Sequence, residues 1–199
     1  MSKCKVLIER RTIRGVADLE QLKKDFPQAD IAVSDTPESL KALIQDAEVF
    51  FGIPTPEVYQ AARKLRWLQA LSAGVDWLGR LPGIVESDVI VTNTRGAHAQ
   101  TIAEHTFAFI LSLTRRMNTH IRNQVAHKWA RQEEWGAHEG LAGQTMGIVG
   151  LGQIGSAIAR RAHAFEMDVY AVDVQPFPHV PDLRGRWGLN RLDELCRIS

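Results

Sequence analysis

The sequence predicts an α/β fold around parallel sheets, and three observations predict it. Short β-branched runs alternate with longer amphipathic segments, two helix starts repeat one capping chemistry, and a glycine-rich turn joins an apolar strand to a helix. Lys5 to Glu9, Ile31 to Val33, Val49 to Phe51, Trp67 to Leu71 and Val89 to Thr92 read as strands with helices between them. Thr36-Pro37-Glu38 and Thr55-Pro56-Glu57 read as helix starts, because the hydroxyl can cap free amides and proline occupies a first turn that requires no donor. Residues 1–96 therefore read as one small domain of flavodoxin-like appearance.

Composition narrows the classes of function. A chain of 199 residues, 45% of them hydrophobic, can bury a sizeable core in one large domain or two small ones. The 24 Lys+Arg against 23 Asp+Glu leave a formal charge of +1, without the basic excess of an electrostatic nucleic-acid binder. Cys4 and Cys196 stand near opposite ends with no metal-ligand or redox spacing, so reduced thiols and a cytoplasmic protein are expected. The apolar stretches fall short of a membrane span, and "MSKCKVLIERR" has no signal-peptide apolar segment. No metal site is expected, since His120, His127, His138, His163 and His179 lack ligand spacing.

From Thr101 to Met117 the residues Ile102, Thr106, Phe109, Ile110, Leu113 and Met117 keep helical spacing, and Phe107 and Leu111 widen the stripe. That width predicts a helix buried on several sides, with Arg115-Arg116 complementing its dipole. The polar segment "NTHIRNQVAHKWARQEEWGAHEGLAG" is weakly periodic and reads as an excursion that hugs its own domain or reaches a partner subunit.

A GxGxxG pattern alone is weak, because glycine spacing recurs by chance in loops. Here Gly150-Leu151-Gly152-Gln153-Ile154-Gly155 follows the apolar strand Thr145 to Val149 and leads into a helix from Ser156 to Phe165. A further strand, Val169 to Val172, ends at Asp173. Gly150 permits the tight turn, Gly152 admits a pyrophosphate to the backbone, and Gly155 lets helix and strand pack closely. The helix N-terminus turns free amides on the phosphates. Asp173 can accept the two adenosine ribose hydroxyls and would repel a 2′-phosphate, while Val174 and Gln175 supply no arginine to offset it, which favours NAD over NADP. Residues 97–199 thus read as a helix leading into the first half of a Rossmann-type NAD-binding domain.

Three segments, "LRWLQALSAGVDWL" from Leu65, "NTRGAHAQTIAEHTFAFILSLTRRM" from Asn93 and "LAGQTMGIVGLGQIGSAIARRAHAFEMDVYAVD" from Leu141, together resemble the D-isomer-specific 2-hydroxyacid dehydrogenase family in order and separation. The resemblance covers nearly the whole chain. It implies an N-terminal substrate domain, a helix crossing into the cofactor domain, and hydride transfer between NAD(H) and a small 2-oxo or 2-hydroxy acid. It also implies that Ser72, Ala73 and Gly74 present backbone amides to the substrate carboxylate. A small residue and a glycine after a parallel strand suit such an anion nest; the competing reading is a simple tight turn with Asp76 capping the next helix. By the same resemblance Thr101 touches the nicotinamide side of the cofactor, and it also reads as an N-cap. Trp77 and Phe51 read as pocket lining or core packing.

The family's arginine, glutamate and histidine lie downstream of the second Rossmann strand, and this sequence ends at "NRLDELCRIS". The expectation is an incomplete Rossmann-type domain that lacks the catalytic trio, with no catalytic residue assigned. Glu104 and His105 are adjacent on a helix and point apart, so they make a poor substitute dyad. His98 lies nearer the expected cleft but is not assigned as a proton carrier. An unpaired Thr145 to Val149 strand, with Ile148 and Val149 incompletely buried, predicts a marginally stable, homo-oligomeric chain. The alternatives to an oxidoreductase are a non-catalytic NAD(H)-binding interaction module, or an inactive fragment that binds no dinucleotide.

Overall fold

The computed structural model describes residues 3–13, 19–131, 136, 138–175, 180 and 183–199. His179 and residues 132–135 of the polar segment lie outside the described residues. The chain divides into two compact units, Met1–Arg95 and Gly96–Ser199.

In the first unit the strands are β1 (Cys4–Glu9), β2 (Ala29–Ser34), β3 (Val49–Phe51), β4 (Trp67–Gln69) and β5 (Ile90–Thr92), with helices α1 (Leu19–Asp25), α2 (Pro37–Leu43) and α3 (Pro56–Ala61) between them. Every strand pair is parallel, in the order β2-β1-β3-β4-β5. This is the flavodoxin-like order, in which loops after the strands gather at one edge of the sheet. Leu7, Ile44, Phe50, Val58 and Leu68 form its fully buried centre. Both threonine caps form: Thr36 Oγ1 accepts the Ser39 amide at 3.3 Å and Thr55 Oγ1 the Val58 amide at 3.4 Å, each with proline next in the chain.

The second unit begins with α4 (Ala99–Thr114) and α5 (Met117–Val125). A parallel sheet of β6 (Thr145–Val149), β7 (Asp168–Val172) and β8 (Gly185–Trp187) follows, in the order β6-β7-β8, with α6 (Gln153–Ala164) and α7 (Leu192–Ile198). A Cβ at Gly155 would meet Ile148, whereas a Cβ at Gly147 would meet Leu195 and Ser199, so the pleat puts α6 and α7 on opposite faces. Leu195 is fully buried there.

Three expectations are corrected. The helix expected from Thr101 to Met117 begins at Ala99 and ends at Thr114, ahead of Arg116, whose backbone is left-handed at φ 52°. It is not buried on several sides within the described residues: Ala99, Ala103 and Phe107, four residues apart, face α6, while Phe109 and Leu113 are 60% and 72% exposed. The weakly periodic polar segment begins within the regular helix α5. Ile148 is buried beneath α6, and only Val149 of the edge pair is exposed. No helix among the described residues is long and apolar enough to cross a membrane.

Candidate functional site

The glycine-rich turn occupies the junction of β6 and α6. Gly150 takes φ +89°, a left-handed conformation that glycine adopts without steric cost, and this reverses the chain. Its amide donates to the Val172 carbonyl at 2.8 Å, and the next amide, of Leu151, donates to Asp173 Oδ2 at 2.7 Å. The turn is thereby tied to the end of β7. Ser156, buried in the first turns of α6, donates its hydroxyl to the Leu151 carbonyl at 3.1 Å, a brace that sequence reasoning missed because serine after glycine has no spacing signature.

The following amides, Gly152, Gln153 and Ile154, meet no acceptor among the described residues. First-turn amides cannot bond within their own helix, and Gly152 offers no side chain to cap them. A Cβ at Gly152 would meet nothing within 4 Å, whereas one at Gly155 would overlap the Gly150 carbonyl oxygen. Gly155 is thus dictated by packing, and Gly152 leaves open space directly over free donors.

Asp173 follows β7. Its Oδ1 accepts the Val174 and Gln175 amides at 2.6 and 3.1 Å, in addition to the Leu151 amide on Oδ2. Donation from the Gln175, Leu151 and Val174 amides holds its carboxyl below the ordinary value, against a smaller opposing effect of burial. The carboxylate stays ionised and keeps lone pairs for further donors.

In the first unit Ser72, Ala73 and Gly74 follow β4 at the edge where the loops after the strands gather. The carbonyls around this turn are individually satisfied. Thr94 gives its hydroxyl to Leu71 and its amide to Ser72, and Asn93 Nδ2 donates to Ala73 at 2.9 Å. Gly74 accepts both the Ser72 hydroxyl at 2.8 Å and Trp77 Nε1 at 3.0 Å. The Ser72, Ala73 and Gly74 amides meet no acceptor among the described residues. The carbonyls of the turn are thus occupied while its three amides are left without acceptors among the described residues.

Several side chains differ from expectation. Asp76 opens a 3-10 turn whose cap position is Val75, with no side-chain cap, so Asp76 does not cap. Thr101 is the third residue of α4 and donates to the His98 carbonyl at 3.0 Å; His98 holds the N-cap position. A threonine whose hydroxyl donates backward is not an N-cap. Trp77 braces the turn through its indole N–H, also 3.1 Å from Ser72 Oγ, and packs on the core as well. Glu104 pairs with Arg161 Nη2 at 3.0 Å, while His105 meets Phe109 edge-on at 4.4 Å, so the two neighbours diverge. No cluster of three or more metal-ligating side chains occurs among the described residues.

A βαβ unit with a glycine turn, open first-turn amides and an acidic residue on the next strand defines a Rossmann-type dinucleotide-binding class. Residues 107–199 match the family model "D-isomer specific 2-hydroxyacid dehydrogenase, NAD binding domain". The chain is 28% identical over 184 residues to a D-3-phosphoglycerate dehydrogenase of Methanocaldococcus jannaschii, covering 90% of this chain and 34% of that protein. It is 31% identical over 166 residues to a glyoxylate reductase of Korarchaeum cryptofilum, covering 78% of this chain and 49% of that protein. A crystal structure of a D-isomer specific 2-hydroxyacid dehydrogenase family protein from Aeromonas salmonicida superposes with TM-score 0.82 at 25% identity, over 100% of this chain and 62% of that one. The chain spans from 22% to 49% of the length of the first curated relatives it matches. The family read from the three motifs is the family these comparisons return.

Proposed function

We propose that the chain supplies the substrate and cofactor sites of a NAD-dependent oxidoreductase acting on a small 2-hydroxy or 2-oxo acid. The observation that carries this reading is the pairing of two amide rows at the ends of parallel strands, one per unit. Gly152, Gln153 and Ile154 would receive the pyrophosphate of NAD, with Gly150, Leu151 and Gly155 setting the turn. Asp173 would accept the adenosine ribose hydroxyls and disfavour a 2′-phosphate. Thr101, exposed on the first turn of α4, would face the nicotinamide side. Bound NAD supplies the hydride acceptor or donor. Ser72, Ala73 and Gly74 would hold the substrate carboxylate by charge-assisted hydrogen bonds that fix its orientation without a charged side chain.

Homo-oligomerisation belongs to the same reading. Phe109, Leu113, Met117, Ile121, Val125 and Trp129 recur every four residues, all exposed, which supports a second copy packing there. A cytoplasmic setting is supported by two exposed free cysteines.

Fluorescence titration with NADH tests the cofactor site. Saturable binding of NADH at least tenfold tighter than NADPH is expected, and oxamate should bind the NADH complex. A chain that binds neither dinucleotide would return the inactive-fragment reading. Binding of NADH without any 2-oxo acid analogue would return the interaction-module reading.

A further inference from the structure

The edge of the first sheet holds a second polar arrangement that the proposed function leaves unused. Glu9 closes β1 and is 6% exposed, a depth at which a carboxylate requires partners. Its Oε2 accepts the Ile53 amide at 3.3 Å, and its Oε1 pairs with Arg11 Nε. A Cβ at Gly52 would lie 2.7 Å from Glu9 Oε2, and the φ of +151° there disfavours any other residue. Glu9 and Gly52 together set the Arg11 guanidinium, which leans from β1 toward the Ile53 carbonyl, 3.4 Å from Nη2. The Arg11 side chain remains 62% exposed, and Nη1 meets no acceptor among the described residues.

Sheet order sets the arginine's anchor, the Ile53 carbonyl just after β3, one strand over from β4. β3 lies between β1 and β4, and the Gly52 amide bonds to the Gln69 carbonyl at the end of β4. The Ser72 to Gly74 amides follow three residues later. With strands about 4.8 Å apart, a guanidinium over the end of β3 stands roughly one to two strand spacings from that amide row, the span of a four- or five-atom diacid. Glu9 neutralises the pair formally, yet it occupies Nε while the Ile53 carbonyl takes Nη2, which leaves Nη1 to donate a charge-assisted hydrogen bond to a carboxylate or phosphate.

We infer that Arg11, positioned by Glu9, recognises a second anionic group on the substrate, so that 2-oxo or 2-hydroxy acids bearing a further carboxylate or phosphate are preferred over mono-acids. The inference rests on the proposed substrate reading of the Ser72 to Gly74 row.

Three probes share an oxalyl amide head and differ only in the tail: oxamate, N-oxalylglycine and N-(phosphonomethyl)oxamate. Calorimetric titration of the NADH complex should show one or both tailed probes binding about tenfold tighter than oxamate at low salt, with the ratio shrinking as salt rises. The tighter of the two tells carboxylate from phosphate. Arg11→Met should bring the ratio toward one, and Arg11→Lys should keep part of it; a fold defect would lower all three affinities together and leave the ratio standing. Equal binding of all three probes to the unaltered protein, or an undiminished ratio in Arg11→Met, overturns the inference while the substrate reading survives. Failure of all three to bind an NADH complex overturns both.

Discussion

The two amide rows answer one physical problem by different means. At the β6–α6 turn the donors are free because they open a helix, and the conformation is imposed by glycine and by a single carboxylate that ties Leu151 to β7. At the Ser72 to Gly74 turn no helix of comparable length follows, and the amides are freed because Asn93, Thr94 and Trp77 take the carbonyls away. The first design depends on residues that lack side chains, the second on residues that have them. The turns should therefore fail differently when altered.

The largest effect is expected at Gly155. A methyl group there would overlap the Gly150 carbonyl oxygen and stand 3.2 Å from Ile148 Cγ2. Gly155→Ala should cost about 3 kcal/mol or more and abolish NADH binding, as thermal unfolding and titration would record. Gly152→Ala sharpens the contrast, because its methyl group meets nothing within 4 Å and its φ of −70° suits any residue. The melting temperature should hold while NADH affinity falls. Equal affinity in that variant would mean that no pyrophosphate approaches the turn.

Asp173 comes next. Asp173→Asn places an amide where three backbone donors converge, so NADH affinity should drop at least about tenfold and the preference over NADPH should narrow. The sign with pH follows from the lowered carboxyl. Its stabilising contribution is complete above the ordinary value of 3.8 and is lost as pH falls through the lower folded value. Acid unfolding of the unaltered protein should therefore contain a limb below pH 3.8 that is shallower in Asp173→Asn. Identical acid limbs would remove the clamp.

This contrast also governs what the sequence disclosed. Strand alternation, the Thr-Pro-Glu helix starts and the glycine turn with Asp173 are local patterns, and the structure reproduces each. The short strand β8, Gly-Arg-Trp, went unread because it holds no β-branched residue and no apolar run. The burial of α4 was overestimated because an apolar stripe does not say what covers it. Ser72 to Gly74 could be found by motif, but Asn93 reaches Ala73 from twenty residues away and Thr94 reaches Leu71 from twenty-three. Only tertiary pairing of β4 with β5 brings those two side chains there, whereas Trp77 is local to the turn.

Trp77→Phe tests the second turn. It keeps an aromatic ring on the core and removes the N–H shared between Ser72 Oγ and the Gly74 carbonyl. The expected loss is about 1 to 2 kcal/mol of stability, with a several-fold weaker oxamate affinity in the NADH complex and an unaltered NADH affinity. Loss of NADH binding as well would tie the indole to the fold of the whole chain rather than to the turn.

The smallest effect separates the cap at Thr55 from its twin at Thr36. Both hydroxyls accept an amide three residues on, through long bonds of 3.4 and 3.3 Å, so replacement by alanine should cost only about 0.5 to 1 kcal/mol at either site. Thr55 also donates to Glu57, whose carboxyl is held below its ordinary value first by its own amide and then by that hydroxyl. More to the point, Thr55 ends the loop that carries Gly52 and Ile53 beside β4, whereas Thr36 follows the edge strand β2. Thr55→Ala should weaken oxamate binding slightly and Thr55→Ser should recover it, while Thr36→Ala should lower the melting temperature equally and leave that affinity alone. Matching affinity losses in the two alanine variants would show that the carboxylate turn senses only the stability of its unit and not the setting of the neighbouring loop.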